Sequence, residues 1–159
     1  MYTYEKMPSN SRVWIYQSNR PFTTDEVEQL NGQISQFVEQ WVSHNRALKA
    51  YGGLHHNQFV VLMVDESQAG ASGCSIDSSV RFIKSLEAHF QVNFFDRMNF
   101  AFLQENQVKT AQRAAFSELY QNQEIDDNTL VFNNLVKNKT EFDEGWIIPL
   151  KDSWHARMV

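Results

Sequence analysis

The sequence predicts a single domain of the α/β or α+β class, with a small mixed sheet of three to five strands and about three packed helices. Apolar runs typical of strands alternate along the chain with segments of helical periodicity. A chain of 159 residues, 42% of them apolar, is long enough to bury a core of its own. No internal repeat or Pro/Gly/Ser-rich linker divides it, so residues 1–159 are predicted to form one domain.

The clearest local signal lies in the first third of the chain. Residues 1–11 are polar and are predicted to be extended, and Arg12–Tyr16 is predicted to be a strand because it is rich in β-branched and aromatic residues. Thr23 and Glu26 fit a capping box with Thr23 as the N-cap. Apolar residues at helical spacing then predict a helix from about Thr24 to His44 or slightly beyond.

The middle of the chain is predicted to contain a strand that is covered on both faces. Phe59–Val64 is a continuous apolar run, and its length and β-branched content favour a strand. A loop of small residues follows, and a second helix is predicted to start near Asp77. A third strand is predicted at Met98–Leu103 and a third helix at Val108–Tyr120.

The last third of the chain carries weaker patterns. Strands are predicted at Leu130–Phe132 and Trp146–Ile148, while residues 133–142 fit a helix or a loop. The predicted element order is therefore β-α-β-α-β-α-β followed by an irregular end, and the strand order is left open.

The composition excludes several classes of protein. With 14 basic and 19 acidic side chains the net charge is −5, which argues against a protein that mainly grips nucleic acid. One cysteine cannot form a disulfide framework. No apolar run approaches the roughly 20 residues of a membrane span, and the N-terminal residues lack the apolar core of a signal peptide. We therefore expect a cytoplasmic protein with no membrane span.

Residues 72–79 form the segment best suited to ligand binding or reactivity, because they lie between a predicted buried strand and a predicted helix. Such a junction directs backbone N–H groups and the positive end of a helix dipole at one point. Gly73 permits a positive φ or a close backbone approach. The candidate ligand-binding residues are Ser72, Gly73, Ser75, Asp77 and Ser78.

Three interpretations of this segment stay open. Ser75 or Asp77 is simply the N-cap and Cys74 a small buried residue. Alternatively, the loop binds a small anionic ligand. In the third interpretation, Cys74 is a nucleophile or a redox-sensitive thiol, since a helix N-terminus lowers the pKa of a cysteine.

The C-terminal residues 152–158 combine an acid, a hydroxyl, an indole, an imidazole and a guanidinium. His155 is the candidate base for Cys74, or a donor to an anion when charged. Arg157 is a candidate ligand for a carboxylate or phosphate. Trp154 predicts that this tail docks onto the body of the protein, since an exposed indole leaves apolar area in water. Whether it docks beside the Cys74 loop is left open.

The sequence predicts neither a metal site nor a cofactor. His55 and His56 are adjacent and point different ways in any regular element, and the other histidines lie far apart. No G-x-x-x-x-G-K-[ST] phosphate loop is present, and no G-x-S-x-G nucleophile turn. With no recognised catalytic motif, the question of whether this chain is an enzyme stays open.

Four segments together carry a resemblance to a family: Arg12–Gln17, the stretch Ser72–Ser79, Phe132–Val136, and Ser153-Trp154-His155-x-Arg157. They resemble a family of small bacterial proteins of uncharacterised function that often carry the label "ABC transporter ATPase". The family offers no catalytic residues to transfer. Because the phosphate loop of such ATPases is absent here, the resemblance does not imply ATP hydrolysis.

The leading hypothesis is a domain that binds a small anionic ligand or a protein partner at Ser72–Ser79, with His155 and Arg157 nearby. One alternative is a thiol-dependent enzyme or redox-responsive protein that uses Cys74 with His155. Another is a protein-interaction module without catalysis. The sequence leaves the oligomeric state open.

Overall fold

A computed structural model describes residues 2–159, which form four α-helices and nine β-strands of one small α+β domain. Residue 1 of the segment predicted to be extended lies outside the described residues. The strands are β1 Arg12–Gln17, β2 Val42–Ser43, β3 Arg46–Ala47, β4 Lys49–His55, β5 Phe59–Asp65, β6 Asn99–Gln104, β7 Gln107–Gln112, β8 Leu130–Phe132 and β9 Ile147–Pro149. The helices are α1 Thr24–Gln40, α2 Gly73–Phe90, α3 Arg113–Gln121 and α4 Lys139–Gly145, with short 3₁₀ helices at Tyr4–Lys6, Leu150–Asp152 and Trp154–Met158.

Two antiparallel sheets form the centre of the molecule. One has the strand order β1-β5-β4 and the other β7-β6-β8-β9, while β2 and β3 form a separate hairpin. Every strand pair within them is antiparallel. The predicted class is confirmed as α+β, although the strands divide between two sheets.

Strand β5 connects the two largest apolar clusters. Val60, Leu62 and Val64 belong to the cluster that contains the α1 and α2 side chains. Phe59, Val61 and Met63 belong to the cluster shared with the second sheet. All six side chains are fully buried, so the prediction of a strand covered on both faces is confirmed.

The order of layers follows from these clusters. Helices α1 and α2 cover the outer face of the β1-β5-β4 sheet. The inner face of that sheet packs on the β7-β6-β8-β9 sheet through residues such as Ala101 and Phe132. The outer face of the second sheet is covered by α3 and the C-terminal 3₁₀ helices, through Phe100, Phe102 and Phe116. The molecule is therefore a four-layer arrangement of helices, sheet, sheet and helices.

The start of α1 is tied to the end of α2. Thr23 and Glu26 form the predicted capping box. The Glu26 carboxylate also accepts two hydrogen bonds from the Arg20 guanidinium, at 2.8 and 2.9 Å. This guanidinium holds the pKa of Glu26 down at about 2. Arg20 donates a further hydrogen bond to the carbonyl of Phe90, the last residue of α2.

Three hairpin turns are formed by residue pairs that end in asparagine. His44-Asn45, His56-Asn57 and Glu105-Asn106 all have positive φ at both residues. Two consecutive positive φ values are what tight hairpin turns require, and asparagine tolerates them better than most residues. The turn at His44 lies between β2 and β3, so the prediction that α1 reaches His44 is wrong.

The turn at Glu105 has the larger consequence for the predicted elements. It folds β7 back onto β6 in the register Gln104↔Gln107, and α3 begins only at Arg113. The prediction of one helix over Val108–Tyr120 is therefore wrong in its first half. Val108 and Ala111 have helical spacing to later residues, but they lie in a strand.

Other segments also differ from expectation. Tyr4–Lys6 is a 3₁₀ helix, so the N-terminal segment is not uniformly extended. A strand not predicted from the sequence, β4, contains Gly52 and Gly53. The segment at 133–142 is a loop followed by the start of α4. Among the helices of residues 2–159, none is long and apolar enough to cross a membrane.

Gly52 provides a direct test of how closely α1 packs on the sheet. A Cβ at this position would lie 2.7 Å from the Cγ2 atoms of both Ile34 and Val38. We predict that Gly52→Ala lowers the free energy of unfolding by about 1–3 kcal/mol, because the core must shift to admit the methyl group.

Gly32 is the matched control, because it lies inside α1 and a Cβ there would contact nothing within 4 Å. Gly32→Ala should raise the free energy of unfolding by about 0.5–1 kcal/mol through helix propensity alone. Urea unfolding of both variants measures the two effects. An unchanged stability in Gly52→Ala would contradict the close contact between α1 and β4.

Candidate functional site

The first turn of α2 contains most of the residues predicted to bind a ligand. Ser72 is the N-cap, and its Oγ accepts from the Ser75 backbone N–H at 3.2 Å. The prediction that Ser75 or Asp77 caps this helix is therefore wrong. Ser75 is buried, and its hydroxyl donates back to the Ser72 carbonyl at 2.8 Å. The two serines satisfy each other, and neither hydroxyl is left without a partner.

The remaining residues of this turn are accessible. Gly73, Cys74 and Asp77 are exposed, and Ser78 is half-buried. Gly73 has no positive φ, and a Cβ there would meet nothing within 4 Å. Neither the positive φ nor the close backbone approach that Gly73 would permit is therefore present at this position. Cys74 is exposed, so the interpretation of it as a small buried residue is wrong.

The turn is anchored to the core from below. The Trp41 indole N–H donates to the Ser75 carbonyl at 2.9 Å. Trp41 in turn packs edge-to-face on Trp14 and against Phe37, which stacks on Phe82 of α2 at a centroid distance of 4.3 Å. This aromatic cluster fixes where α2 begins. The turn is therefore held rigidly by packing, with only its outer surface open to solvent.

His155 lies in a different layer. It is almost fully buried, at 1% exposure, in the C-terminal 3₁₀ helix that packs on the outer face of the second sheet. Its ring stacks on Trp154 and contacts Phe100 and Phe116. The ring Nδ1 shares a 2.6 Å hydrogen bond with the Ser153 hydroxyl. Burial lowers the pKa of His155 to about 4, so the ring is neutral near pH 7.

The structure does not bring Cys74 and His155 together. Cys74 is on the outer helix layer of the first sheet, and His155 is beyond the second sheet. Two stacked sheets lie roughly 10 Å apart, and a catalytic hydrogen bond needs about 3 Å. No hydrogen bond or ring contact among residues 2–159 links the two side chains.

The predicted docking of the tail is seen, but at a different place from the Cys74 loop. The Trp154 indole N–H donates to Asn133 Oδ1 at 3.0 Å, just after β8. The neighbouring Asn134 accepts from the Trp146 indole at 2.9 Å and donates to Gln17. Segments that carry the family resemblance thus meet here as structural contacts. Arg157 is exposed and faces α3, far from Ser72–Ser78.

A cleft near the start of α2 was not predicted. It has a volume of about 630 Å³ and lies between the β2–β3 hairpin, the start of β4, the end of α1 and the loop at residues 66–71. Arg46 and Lys49 line it. The helical spacing of the apolar residues predicts that α1 continues into the β2–β3 hairpin, so the sequence does not indicate a cleft lined by Arg46 and Lys49. The dipeptide His44-Asn45 is the signal that would have placed the hairpin.

A second group of polar and aromatic side chains lies between the sheets at the β4 edge. The Tyr51 hydroxyl and His55 Nε2 are 2.9 Å apart. Gly53 permits this, because a Cβ there would lie within 3 Å of the Tyr51 hydroxyl and ring. Burial, and then the charge of His56, lower the pKa of His55 to about 4. Among residues 2–159, no group of three His, Cys, Asp or Glu side chains is placed to hold a metal ion.

Comparison with protein-family models, with curated proteins and with solved structures finds no match to this chain. The family resemblance of the four sequence segments is therefore neither supported nor contradicted, and it stays a prediction.

The separation of Cys74 from His155 predicts the behaviour of the thiol. A thiol reagent should modify Cys74 completely in the folded protein because the side chain is exposed. The pH profile of the modification rate should be the same in the wild type and in His155→Gln. Stopped-flow labelling across pH measures it.

Two further variants complete that experiment. Ser153→Ala removes the hydrogen bond to the ring and the weak cap that the hydroxyl accepts from the His155 backbone N–H, and it replaces His155→Gln if the latter does not fold. Cys74→Ser should abolish labelling and leave the free energy of unfolding unchanged. If the His155 or Ser153 substitution altered the pH profile, this prediction would be wrong and an interaction between the thiol and the imidazole would be supported.

The buried histidines predict an acid-sensitive stability. His55 and His155 have pKa values lowered from 6.5 to about 4, so the unfolded chain binds protons at a higher pH than the native chain. Stability contributed by the neutral rings is full above pH 6.5 and is lost as the pH falls towards 4.

Urea unfolding at about pH 7.5 and about pH 5 measures this loss. His155→Gln should lose less stability between the two conditions than the wild type does. His89→Gln, at an exposed position on α2, is the control and should behave as the wild type. An equal loss in His155→Gln would contradict the assignment.

Proposed function

We propose that the protein binds a small organic anion, and that the ligand occupies the cleft beside the β2–β3 hairpin. The observation that carries the proposal is a cavity of about 630 Å³ with two cationic residues in its lining. Pockets for small molecules fall in the range of about 300–1,000 Å³ and combine apolar walls with a few polar groups. The cleft meets both criteria.

The charge of the lining favours an anion. Arg46 is on β3 and Lys49 begins β4, and both line the cleft together with one acidic residue, Glu39. The Arg46 guanidinium is suited to grip a carboxylate or a phosphate through two parallel hydrogen bonds. Lys49 adds a second positive charge. It also interacts electrostatically with the Asp65 carboxylate, its partner in the register of β4 and β5.

The walls favour a ligand with an apolar part. Val38 from α1, Leu48 and Ala50 contribute buried apolar surface to one side of the cleft. Ala69 and Gln68 close the side that faces the loop. The Val38, Leu48 and Ala50 side chains are already almost fully buried, so they form an apolar floor for the cleft. The hydrocarbon part of a small carboxylate or phosphate ester would leave water by packing on this floor, and each buried CH₂ is worth about 0.8 kcal/mol, which an inorganic ion does not gain.

The cleft is a better candidate site for the anion predicted from the sequence than the Ser72–Ser79 segment is. Ser72 and Ser75 are already bonded to each other, and Cys74 and Gly73 are exposed. The loop that lines the cleft at Gln68 and Ala69 leads directly into this segment. The proposed ligand therefore lies a few residues before the turn that the sequence singles out. We propose no reaction, because the thiol alternative has its base in another layer.

The test is ligand-dependent thermal stability. A panel of small carboxylates, phosphate esters and amino acids is screened against the wild type, and a ligand at about 100 times its Kd adds about 2.7 kcal/mol of stability. Arg46→Gln and Lys49→Gln should each weaken binding about tenfold, because each removes a charge-assisted hydrogen bond.

Lys84→Gln is the matched control, since Lys84 is an exposed cation on α2 that does not line the cleft. It should bind the ligand as the wild type does. Binding that survives both cleft substitutions, or no binding across the panel, would refute the proposal. The second outcome would favour the protein-interaction alternative.

A further inference from the structure

A separate groove lies on the opposite side of the molecule, between α3 and the C-terminal 3₁₀ helix. It has a volume of about 510 Å³. One wall is a stripe of α3 with the spacing of successive helical turns, formed by Arg113, Ser117 and Gln121. The other wall includes Arg157 and Met158. Two guanidinium groups from distant parts of the chain therefore line one groove.

The groove is cationic in an acidic protein. Neither Arg113 nor Arg157 has a carboxylate within ion-pair distance among residues 2–159. Glu118 is the acidic residue of α3, and it does not line the groove. Val159, the last residue of the sequence, also lines the groove. An anion bound between the two guanidinium groups lowers the repulsion between their like charges. Arg20 shows the contrast, because its guanidinium donates two hydrogen bonds to the Glu26 carboxylate.

The end of α3 adds a fixed positive potential to the same place. The helix begins at Arg113, which itself lines the groove. Its N-cap residue, Gln112, makes no capping bond, because its side-chain amide donates to Asp96 at 2.8 Å. The first N–H groups of the helix are therefore left without a side-chain cap, and the positive end of the dipole adds to the arginine charges.

Polar donors continue along the groove. The Gln121 amide donates weakly to the Ser117 hydroxyl at 3.3 Å, so the hydroxyl proton is free to turn to a ligand. Two forked guanidiniums match the oxygen geometry and the double negative charge of a phosphate better than the single charge of a carboxylate. Met158 offers an apolar surface beside them.

We infer that this groove is a binding site for the phosphate group of a small phosphomonoester, held between Arg113 and Arg157. The site is independent of the cleft at Arg46, which is lined by α1 and the β2–β3 hairpin in another layer. Arg157 was predicted to bind an anion together with the Ser72–Ser79 segment. In the structure, Arg113 and not that segment lines the groove with Arg157.

An NMR titration with inorganic phosphate and with phenyl phosphate tests the inference. The backbone amides of Arg113, Ala114 and Arg157 should shift on titration. Phenyl phosphate should bind more tightly than inorganic phosphate, because its ring packs on Met158. Arg113→Gln and Arg157→Gln should each raise the Kd about tenfold, the cost of losing a charge-assisted hydrogen bond.

The controls separate this site from the proposed function. Arg81→Gln, which removes an exposed cation on α2, and Arg46→Gln should leave the titration of the groove amides unchanged. Amide shifts that are absent from the groove, or a Kd that both groove substitutions leave unchanged, would overturn the inference. Loss of binding in Arg46→Gln alone would assign the phosphate to the cleft and would likewise overturn it.

Discussion

The burial of β5 on both of its faces is the constraint on which the other layers depend. Its odd-numbered and even-numbered side chains from Phe59 to Val64 feed two different apolar clusters, and all are fully buried. Neighbouring strands β1 and β4 occupy both of its edges, so its backbone is paired on each side. A strand enclosed in this way needs an apolar cover on each face. Here α1 and α2 supply one cover and the second sheet supplies the other, which gives the three inner layers of the molecule.

Side-chain amides link the second sheet to the first, in addition to the apolar packing between the two sheets. Asn133 and Asn134 follow β8 directly, and they accept the N–H groups of Trp154 and Trp146. Asn134 also donates to Gln17 at the end of β1, and Gln17 donates to the Asn99 carbonyl at the start of β6. One chain of amides therefore crosses from the first sheet to the second. Burying an indole requires a partner for its N–H, which explains why amide and tryptophan residues occur together here.

Charge is distributed unevenly over this acidic chain. The net charge of −5 hides two places where cations collect, and they lie in different layers. Arg20 shows how the protein treats a cation that has a structural role, because all its bonds go to Glu26 and to backbone carbonyls. Among residues 2–159, Arg46, Arg113 and Arg157 form no such ion pair, whereas Lys49 interacts with the Asp65 carboxylate. The charge of the three arginines is therefore available to a ligand.

The sequence by itself determined the features that depend on near neighbours. The capping box at Thr23, the enclosed strand β5 and the strand β8 could each be predicted from residues within one element. The hairpin turns were not predicted, since an X-Asn pair is only a weak local signal and takes positive φ at both residues where two strands pair around it. Only the tertiary structure decided that Cys74 and His155 are separated by two sheets and that Arg157 and Arg113 line one groove. Such pairings depend on which faces of the sheets are buried against each other, and residues distant in sequence carry no local pattern that reveals it.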